Sequence, residues 1–460
     1  MEIDIKKYKH IYMVGIGGIS MSGIAVILKN WNYQVSGSDG VKSNQTDWLE
    51  EQGIKVNIGQ ISENITSDID LVVYTAAVKL DNPELVRARE LNIPIIERGN
   101  FLGEITKLFK DTIGIAGTHG KTSTTSMVCC SFLEAGLDPS IQVGAVLSNI
   151  NGNYRVGKSD YFIIEACEYC ESYLNFHQRS AIVLNIDDDH LDYFNNIDNI
   201  QKSFEKYVSL LPSDGYLVLN RDDERCYALK DYTKAKVITI GKDKNADWYY
   251  DNVSFDDDGF PTYDVYNNGV LKGTISLKVA GMHNVTNSLS CIALCSAYGI
   301  SIEVVAKALL KFGGASRRLE YKGTLNGAKV YDDYGHHPTE IMATVKGIKN
   351  KKYNESWVVF EAHTYSRLAQ HLHDFAEALA NFDHIIIIDT YAAREQNTFN
   401  IHEEDLMNEL KKFGKDSVHI SNHDEVINTL KNNVKPGDLI LTLGAGNVTK
   451  IANKIKEMSE

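Results

Sequence analysis

Positive charge is what this chain is short of. Its 460 residues hold 47 Lys and Arg against 61 Asp and Glu, a formal net charge of −14. That balance argues against general nucleic-acid binding and against an anionic membrane surface. Anionic substrates must be met by local cations and backbone amides. No apolar run reaches membrane-spanning length, so no membrane insertion is expected. Residues 1–10 are charged and lack the apolar core of a signal peptide. Cysteine is sparse too: 7, an odd and scattered number. That excludes a disulfide framework and suits a reducing, cytoplasmic setting. Cys167 and Cys170 have redox or zinc spacing, but no second such pair joins them, and Cys291 and Cys295 fall in an apolar helical stretch. Internal repeats and low-complexity segments are absent. The length suggests about three domains, each able to bury its own core.

What is present centres on Gly114 to Thr122. Thr112 to Ala116 reads as a short buried strand and Ser123 to Leu133 as a helix. Between them lies Gly117-Thr118-His119-Gly120-Lys121-Thr122. Strand, Gly-rich turn and helix N-terminus let a backbone hold phosphate, with Lys121 following the anion and the Thr122 hydroxyl placed for a magnesium ion. The spacing is tighter than the usual phosphate loop, because Ile115 stands where its first Gly would be.

Upstream, Ile11 to Val14 is an apolar strand running into Gly15-Ile16-Gly17-Gly18. A helix is expected over Ile24 to Lys29, then a strand over Tyr33 to Ser36, closing at Ser38 and Asp39. This is a βαβ unit with a Gly-rich first turn. Ser20 occupies the place of a third Gly, so the turn fits a nucleotide-diphosphate site better than a nicotinamide or flavin one. A strand over Leu71 to Tyr74 leads to Thr75, and Asn82-Pro83-Glu84 starts a helix. The strand Ile93 to Glu97 leads to Arg98, a candidate phosphate partner.

Downstream, Tyr161 to Ile164 is a strand ending at Glu165, and Ala181 to Ile186 one ending in Asp187 to His190. Polar residues at strand carboxyl ends lie where open α/β sheets bind ligands. Glu165 and His190 with Thr122 suit hard cations beside triphosphate. Val237 to Lys278 alternates like a sheet, with a hairpin turn at Asn268-Gly269. Asn284 and Asn287 open the next helix, either as a cap and a first-turn residue or with their side-chain amides free to read a base edge. From Lys329 strands and helices alternate again, with one helix expected over Ser366 to Ala380. The expected fold is α/β in three domains: Rossmann-like over 1–110, a phosphate-loop ATPase-like domain with a small β portion over 111–315, and Rossmann-like over 316–460.

Together these pieces resemble the Mur ligases of peptidoglycan synthesis, over essentially the whole chain. The motifs that carry the resemblance are Gly15 to Gly18, Ser36 to Asp39, Gly117 to Thr122, Asn185 to His190, and His283-Asn284 with Asn287. Arg317-Arg318, Asp332 to Pro338 and His363 to Arg367 complete them. The Asp-Asp-Tyr-Gly-His-His-Pro string is closest to the member that adds the first amino acid, L-alanine.

The resemblance implies a UDP-sugar on the first domain, ATP on the second and the amino acid with the third. ATP would phosphorylate the lactyl carboxylate of UDP-N-acetylmuramic acid, and the amine of L-alanine would attack the acyl phosphate. ATP and Mg2+ are the implied cofactors, in a cytoplasmic monomer or homodimer serving cell-wall synthesis. Lys121, Glu165, His190 and Arg318 would be catalytic, and Thr122, Glu165 and His190 would hold metal. Gly117 to Ser123, Asn284, Asn287, Arg318 and Asp333 would bind ATP. Gly15, Gly17, Gly18, Ser38, Asp39, Thr75 and Arg98 would bind the UDP-sugar; His336 and Arg367 would bind the amino acid.

The chain departs from the family pattern in places. Thr364 stands where some members have a second Arg, Glu361-Ala362 where Gln-Pro is common, and Cys167 where Asp is frequent. Glu205 falls near the place of the carbamylated Lys of other members, so no carbamate is expected. The alternatives are a recycling ligase that attaches a tripeptide to the same UDP-sugar, a folate-polyglutamate ligase, and a non-catalytic UDP-sugar sensor.

Overall fold

The computed structural model describes every residue except 1–2, 76, 148–149, 151, 315, 394 and 460. Residue 315, the expected end of the central domain, is therefore outside the description. The chain divides into two compact units. One holds residues 1–250, 265–273 and 287–308; the other holds 251–264, 274–286 and 309–460.

The first unit begins with a five-stranded parallel sheet, in the order Lys55–Ile58, Gln34–Asp39, His10–Val14, Leu71–Tyr74, Ile95–Glu97. His10–Val14 is buried at every position, as a central strand covered on both faces must be. The strand order reverses beside it, so the turn after Val14 opens at the switch point where such sheets bind ligands. The following helix spans Ile19–Asn30, a turn and a half earlier than the apolar run implies, because Gly18 serves as its N-cap. Gly37 lets this layer close. A Cβ there would sit 2.3 Å from the Met13 carbonyl oxygen and 2.8 Å from the Ile16 side chain. Gly37→Ala should lower stability by about 2–3 kcal/mol, read from urea unfolding, because backbone rather than a flexible side chain must yield.

The same unit carries a second parallel core. Asp111–Ala116 lies between Tyr161–Glu165 and Ser180–Val183, and Tyr216–Asn220 and Lys236–Gly241 extend it. On the other side Ser140–Leu147 pairs with Tyr161–Glu165 and takes the antiparallel partner Gly152–Arg155. The expected small β portion, Trp248–Phe255, Pro261–Asn267 and Val270–Ser276, is present with its residues divided between the two units, and Asn268 and Gly269 both have positive φ, 48° and 79°, as the two-residue hairpin turn requires.

The second unit holds a six-stranded sheet, in the order Glu320–Leu325, Ala328–Asp333, Leu439–Leu443, Ser356–Phe360, His384–Ile387, Ser417–His419. The first pair is antiparallel and the rest parallel. Two expectations change here. The single helix over Ser366 to Ala380 is two, Tyr365–Gln370 and Leu372–Leu379, broken at His371. The apolar spacing of Leu368 and Phe375 continues through the break, while the His371 ring packs on His337 at 4.9 Å, a contact invisible to periodicity. Of the two readings of Asn284, capping does not hold: the helix starts at Met282, and the Asn284 amide donates to the Ala280 carbonyl at 2.8 Å. The architecture is α/β throughout. No helix among the described residues is long and apolar enough to cross a membrane.

Candidate active site

The phosphate-loop sequence forms the expected strand, turn and helix. Asp111–Ala116 leads into Gly117 (φ 129°) and Gly120 (φ 85°), and the helix Lys121–Glu134 starts directly after. Asn185 braces the turn: its carbonyl accepts from Thr118 N–H at 3.1 Å, its side chain accepts from His119 N–H at 2.8 Å and donates back to His119 O at 3.1 Å. The Thr118 hydroxyl is used internally, accepting from Asp187 N–H at 2.9 Å, and the His119 ring meets Asp187 at 3.0 Å. Thr122 and Ser123 lie half-buried in the first helical turn. Asn287 is brought to the same turn, with its Oδ1 2.7 Å from where a Gly120 Cβ would stand.

Lys121 points back under the loop. Its ammonium donates to Gly117 O at 2.6 Å, to Thr118 O at 2.9 Å and to both oxygens of Glu168 at 3.1 and 3.0 Å. Burial opposes its charge, but the Glu168 carboxylate, with Glu165 beyond it, outweighs that and holds its pKa above the usual lysine value. Glu168, to which the sequence assigns no role, is the acid that meets Lys121. It lies three positions after Glu165, and nothing in that spacing says which acid meets the lysine.

Glu165 faces elsewhere. It lines a cavity of about 200 Å³ with Arg98, Ser20, Gln142, Cys167 and Tyr169. Its Oε1 accepts from Gly144 N–H at 3.0 Å. Arg98 reaches the Ser20 hydroxyl at 3.4 Å, and Gln142 donates to the same oxygen at 2.8 Å. The N-terminus of the helix Ile19–Asn30 thus shares a cavity with Glu165. Gln142, absent from every motif, completes this group. His190 sits at the N-cap of Leu191–Phe194 with φ 54°, its ring packed on Tyr169 at 4.7 Å. Burial raises the Cys167 thiol to about 11, which keeps it a neutral wall residue. Among the described residues, no group of three or more His, Cys, Asp and Glu side chains gathers as a metal cluster.

The Gly-rich turn is organised by Ser38 and Asp39. Ser38 O accepts from Gly15 and Ile16 N–H at 2.8 and 2.9 Å, and Asp39 accepts from Gly17 N–H at 2.9 Å. The Ser38 hydroxyl donates to buried Glu84 at 2.6 Å. Ser38 therefore shapes the turn from inside rather than presenting its side chain. Gly15 (φ 80°) is crowded by Thr75, whose methyl would lie 2.6 Å from an added Cβ.

In the second unit Arg317 and Arg318 part company. Arg317 pairs with fully buried Asp332 at 3.1 Å and donates to the Ala445 and Gly444 carbonyls. Arg318 is more exposed, 5.6 Å over the Tyr334 ring and 3.6 Å from Glu340. His336 stands 5.5 Å from His363, ring to ring, and Arg367 donates to His363 Nδ1 at 3.1 Å. Burial, then His336 and Arg367, push His363 down to about 4, so it accepts from Arg367 as a neutral ring.

Asp333 accepts from the amides of Leu319 at 2.7 Å and Gly335 at 2.8 Å. Burial lifts its pKa from 3.8 to about 6, against Arg318 and those amides. A carboxyl raised in the fold stabilises it fully below the unfolded pKa, and that stability is lost as pH rises through the folded pKa. Asp333→Asn should thus shift melting in the variant's favour by on the order of 1–2 kcal/mol between about pH 4 and pH 7. Comparing the two pH values isolates the charge from the lost acceptor.

The first unit holds a glycine-rich loop over a largely screened lysine and a Gly-rich turn sharing a cavity with an acid, and the second unit holds an Arg–His group; these are residue types that a phosphoryl-transferring ligase uses. Models of the Mur ligases match in succession: the Mur ligase family catalytic domain over residues 10–110, the Mur ligase middle domain over 115–295, and the Mur ligase glutamate ligase domain over 317–446. The chain belongs to the Mur ligase family. A UDP-N-acetylmuramate–L-alanine ligase of Acetivibrio thermocellus is 46% identical over 450 residues, covering 98% of this chain and 96% of that protein. The solved UDP-N-acetylmuramate–alanine ligase of Thermotoga maritima is similar with a TM-score of 0.84 at 28% identity over 98% of both chains. A murein peptide ligase of Psychrobacter arcticus, with a TM-score of 0.73 at 24% identity over 98% of both chains, shares the fold.

Proposed function

We propose that this chain is the ATP-dependent ligase that joins L-alanine to the lactyl carboxylate of UDP-N-acetylmuramate, a cytoplasmic step of peptidoglycan synthesis. The cavity that brings Glu165 beside Arg98 and Ser20, next to a phosphate loop, carries the reading. Full-length identity to ligases of that name supports the choice of amino acid.

The chemistry follows from the donors. A carboxylate oxygen of the sugar attacks the γ-phosphorus, and ADP leaves. Lys121 and the helix N-terminus at Gly120 offset the charge on the transferring group. The amine of L-alanine then attacks the acyl carbon, and phosphate leaves from the tetrahedral intermediate. Thr122, Glu165 and His190 would hold Mg2+, the hydroxyl and the carboxylate supplying the oxygen ligands a hard cation prefers. When bound, Mg2+ neutralises phosphate charge. Gly15, Gly17, Gly18, Ser38, Asp39, Thr75 and Arg98 are assigned to the UDP-sugar. Asn284, Asn287, Arg318 and Asp333 are assigned to ATP, and His336 and Arg367 to the amino acid, the guanidinium forking onto its carboxylate.

The test is phosphate release from ATP with UDP-N-acetylmuramic acid, Mg2+ and single amino acids in turn. Release that requires the sugar and is fastest with L-alanine is expected. Release with a tripeptide and no single amino acid would instead mark the recycling activity. Silence with both, with UDP-sugar still bound, would mark a sensor.

A further inference from the structure

Lys121 has three N–H groups, and all three are engaged. Two go to the carbonyls of Gly117 and Thr118 and the third to the Glu168 carboxylate. Glu168 is 2% exposed and Lys121 15%, so the pair is largely screened from water. The Glu168 backbone is held from both sides. Upstream, Ala166 N–H donates to Ile115 O at 2.9 Å, tying the segment to the phosphate-loop strand. Downstream, Glu171 N–H donates to Glu168 O at 2.8 Å, and Cys170 and Glu171 turn the chain with φ 53° and 52°. Two successive non-glycine residues in the left-handed region are strained and persist where surrounding structure fixes them.

We propose that Glu168 is a positioning residue for Lys121: a resident counter-ion that aims the ammonium and is displaced from it by incoming nucleotide phosphate. This rests on the reading of Gly117 to Thr122 as the nucleotide site. For phosphate to meet Lys121, one of the three acceptors must let go. The two carbonyls belong to a turn braced by Asn185. The carboxylate alone sits on rotatable bonds, so it is the acceptor that yields. Nucleotide therefore binds against a competing anion, and the same anion keeps the amine under the loop. Glu168 itself touches no reacting atom.

The test separates affinity from turnover. Glu168→Gln keeps the shape and an acceptor but removes the charge. By calorimetry with the full chain, Mg2+ and a non-hydrolysable ATP analogue, it should bind about tenfold more tightly, and the KM for ATP in the phosphate-release assay should fall in parallel. Glu168→Asp, which withdraws the carboxylate by one methylene, should tighten binding by less, and it reports the same direction if the Gln variant folds poorly. A merely structural role would lower the active fraction and leave Kd unmoved. Unchanged or weaker nucleotide binding in the folded variants overturns the proposal. Absence of nucleotide binding by the unsubstituted chain would instead overturn the phosphate-loop reading beneath it.

Discussion

Lys121→Ala should lower turnover about a thousandfold or more while UDP-N-acetylmuramate still binds. The ammonium lies under Gly117 and Thr118, whereas the turn assigned to the sugar, Gly15 to Gly18, is organised by Ser38 and Asp39. The two losses are thus separable. The substitution also strands the Glu168 carboxylate, which is 2% exposed, and removing one partner of a buried ion pair destabilises. Turnover must therefore be expressed per folded protein, with a melt beside the assay, and Lys121→Met serves as a bulkier control. Near-normal turnover in either variant would show that the loop is not the phosphate site.

Glu165→Ala should reduce kcat about a thousandfold, and Glu165→Gln should recover little of it. Glu165 contributes a charge to the cavity it shares with Arg98 and Ser20, while its bond from Gly144 N–H needs just an acceptor. The Gln variant keeps that acceptor and loses the charge, so it separates structure from electrostatics. The Mg2+ concentration that half-saturates activity should rise in the Gln variant, because a neutral amide is a poorer ligand for a hard cation. Activity within tenfold of the unsubstituted chain, with an unmoved Mg2+ dependence, would remove Glu165 from the site.

Much of this was legible in the chain itself. The phosphate loop is local: a buried strand, two glycines and a helix start within about a dozen residues, and the structure forms them in that order. The Gly-rich first turn is equally local. The misjudged pieces share another property. The break at His371 falls where its ring meets His337, more than thirty positions away, and the early start of the helix after Gly18 is set by a cap that apolar spacing does not register. Which way the Ser38 hydroxyl turns, inward onto Glu84, is likewise set by a residue 46 positions away.

The sequence by itself determined the α/β alternation, the two glycine-rich turns, the family, and the residue types that phosphoryl transfer needs. Each depends on neighbours a few positions apart, where backbone geometry and hydrophobic period act directly. The tertiary structure alone decided which acid serves which partner. Lys121 meets Glu168 across 47 positions, leaving Glu165 to the cavity, and Gln142 reaches Ser20 across 122. It also decided that Arg317 locks onto Asp332 while Arg318 stays more exposed. Such pairings follow from strand order and from which side chains the sheets can bury, and a buried charge settles beside whichever opposite charge that packing supplies.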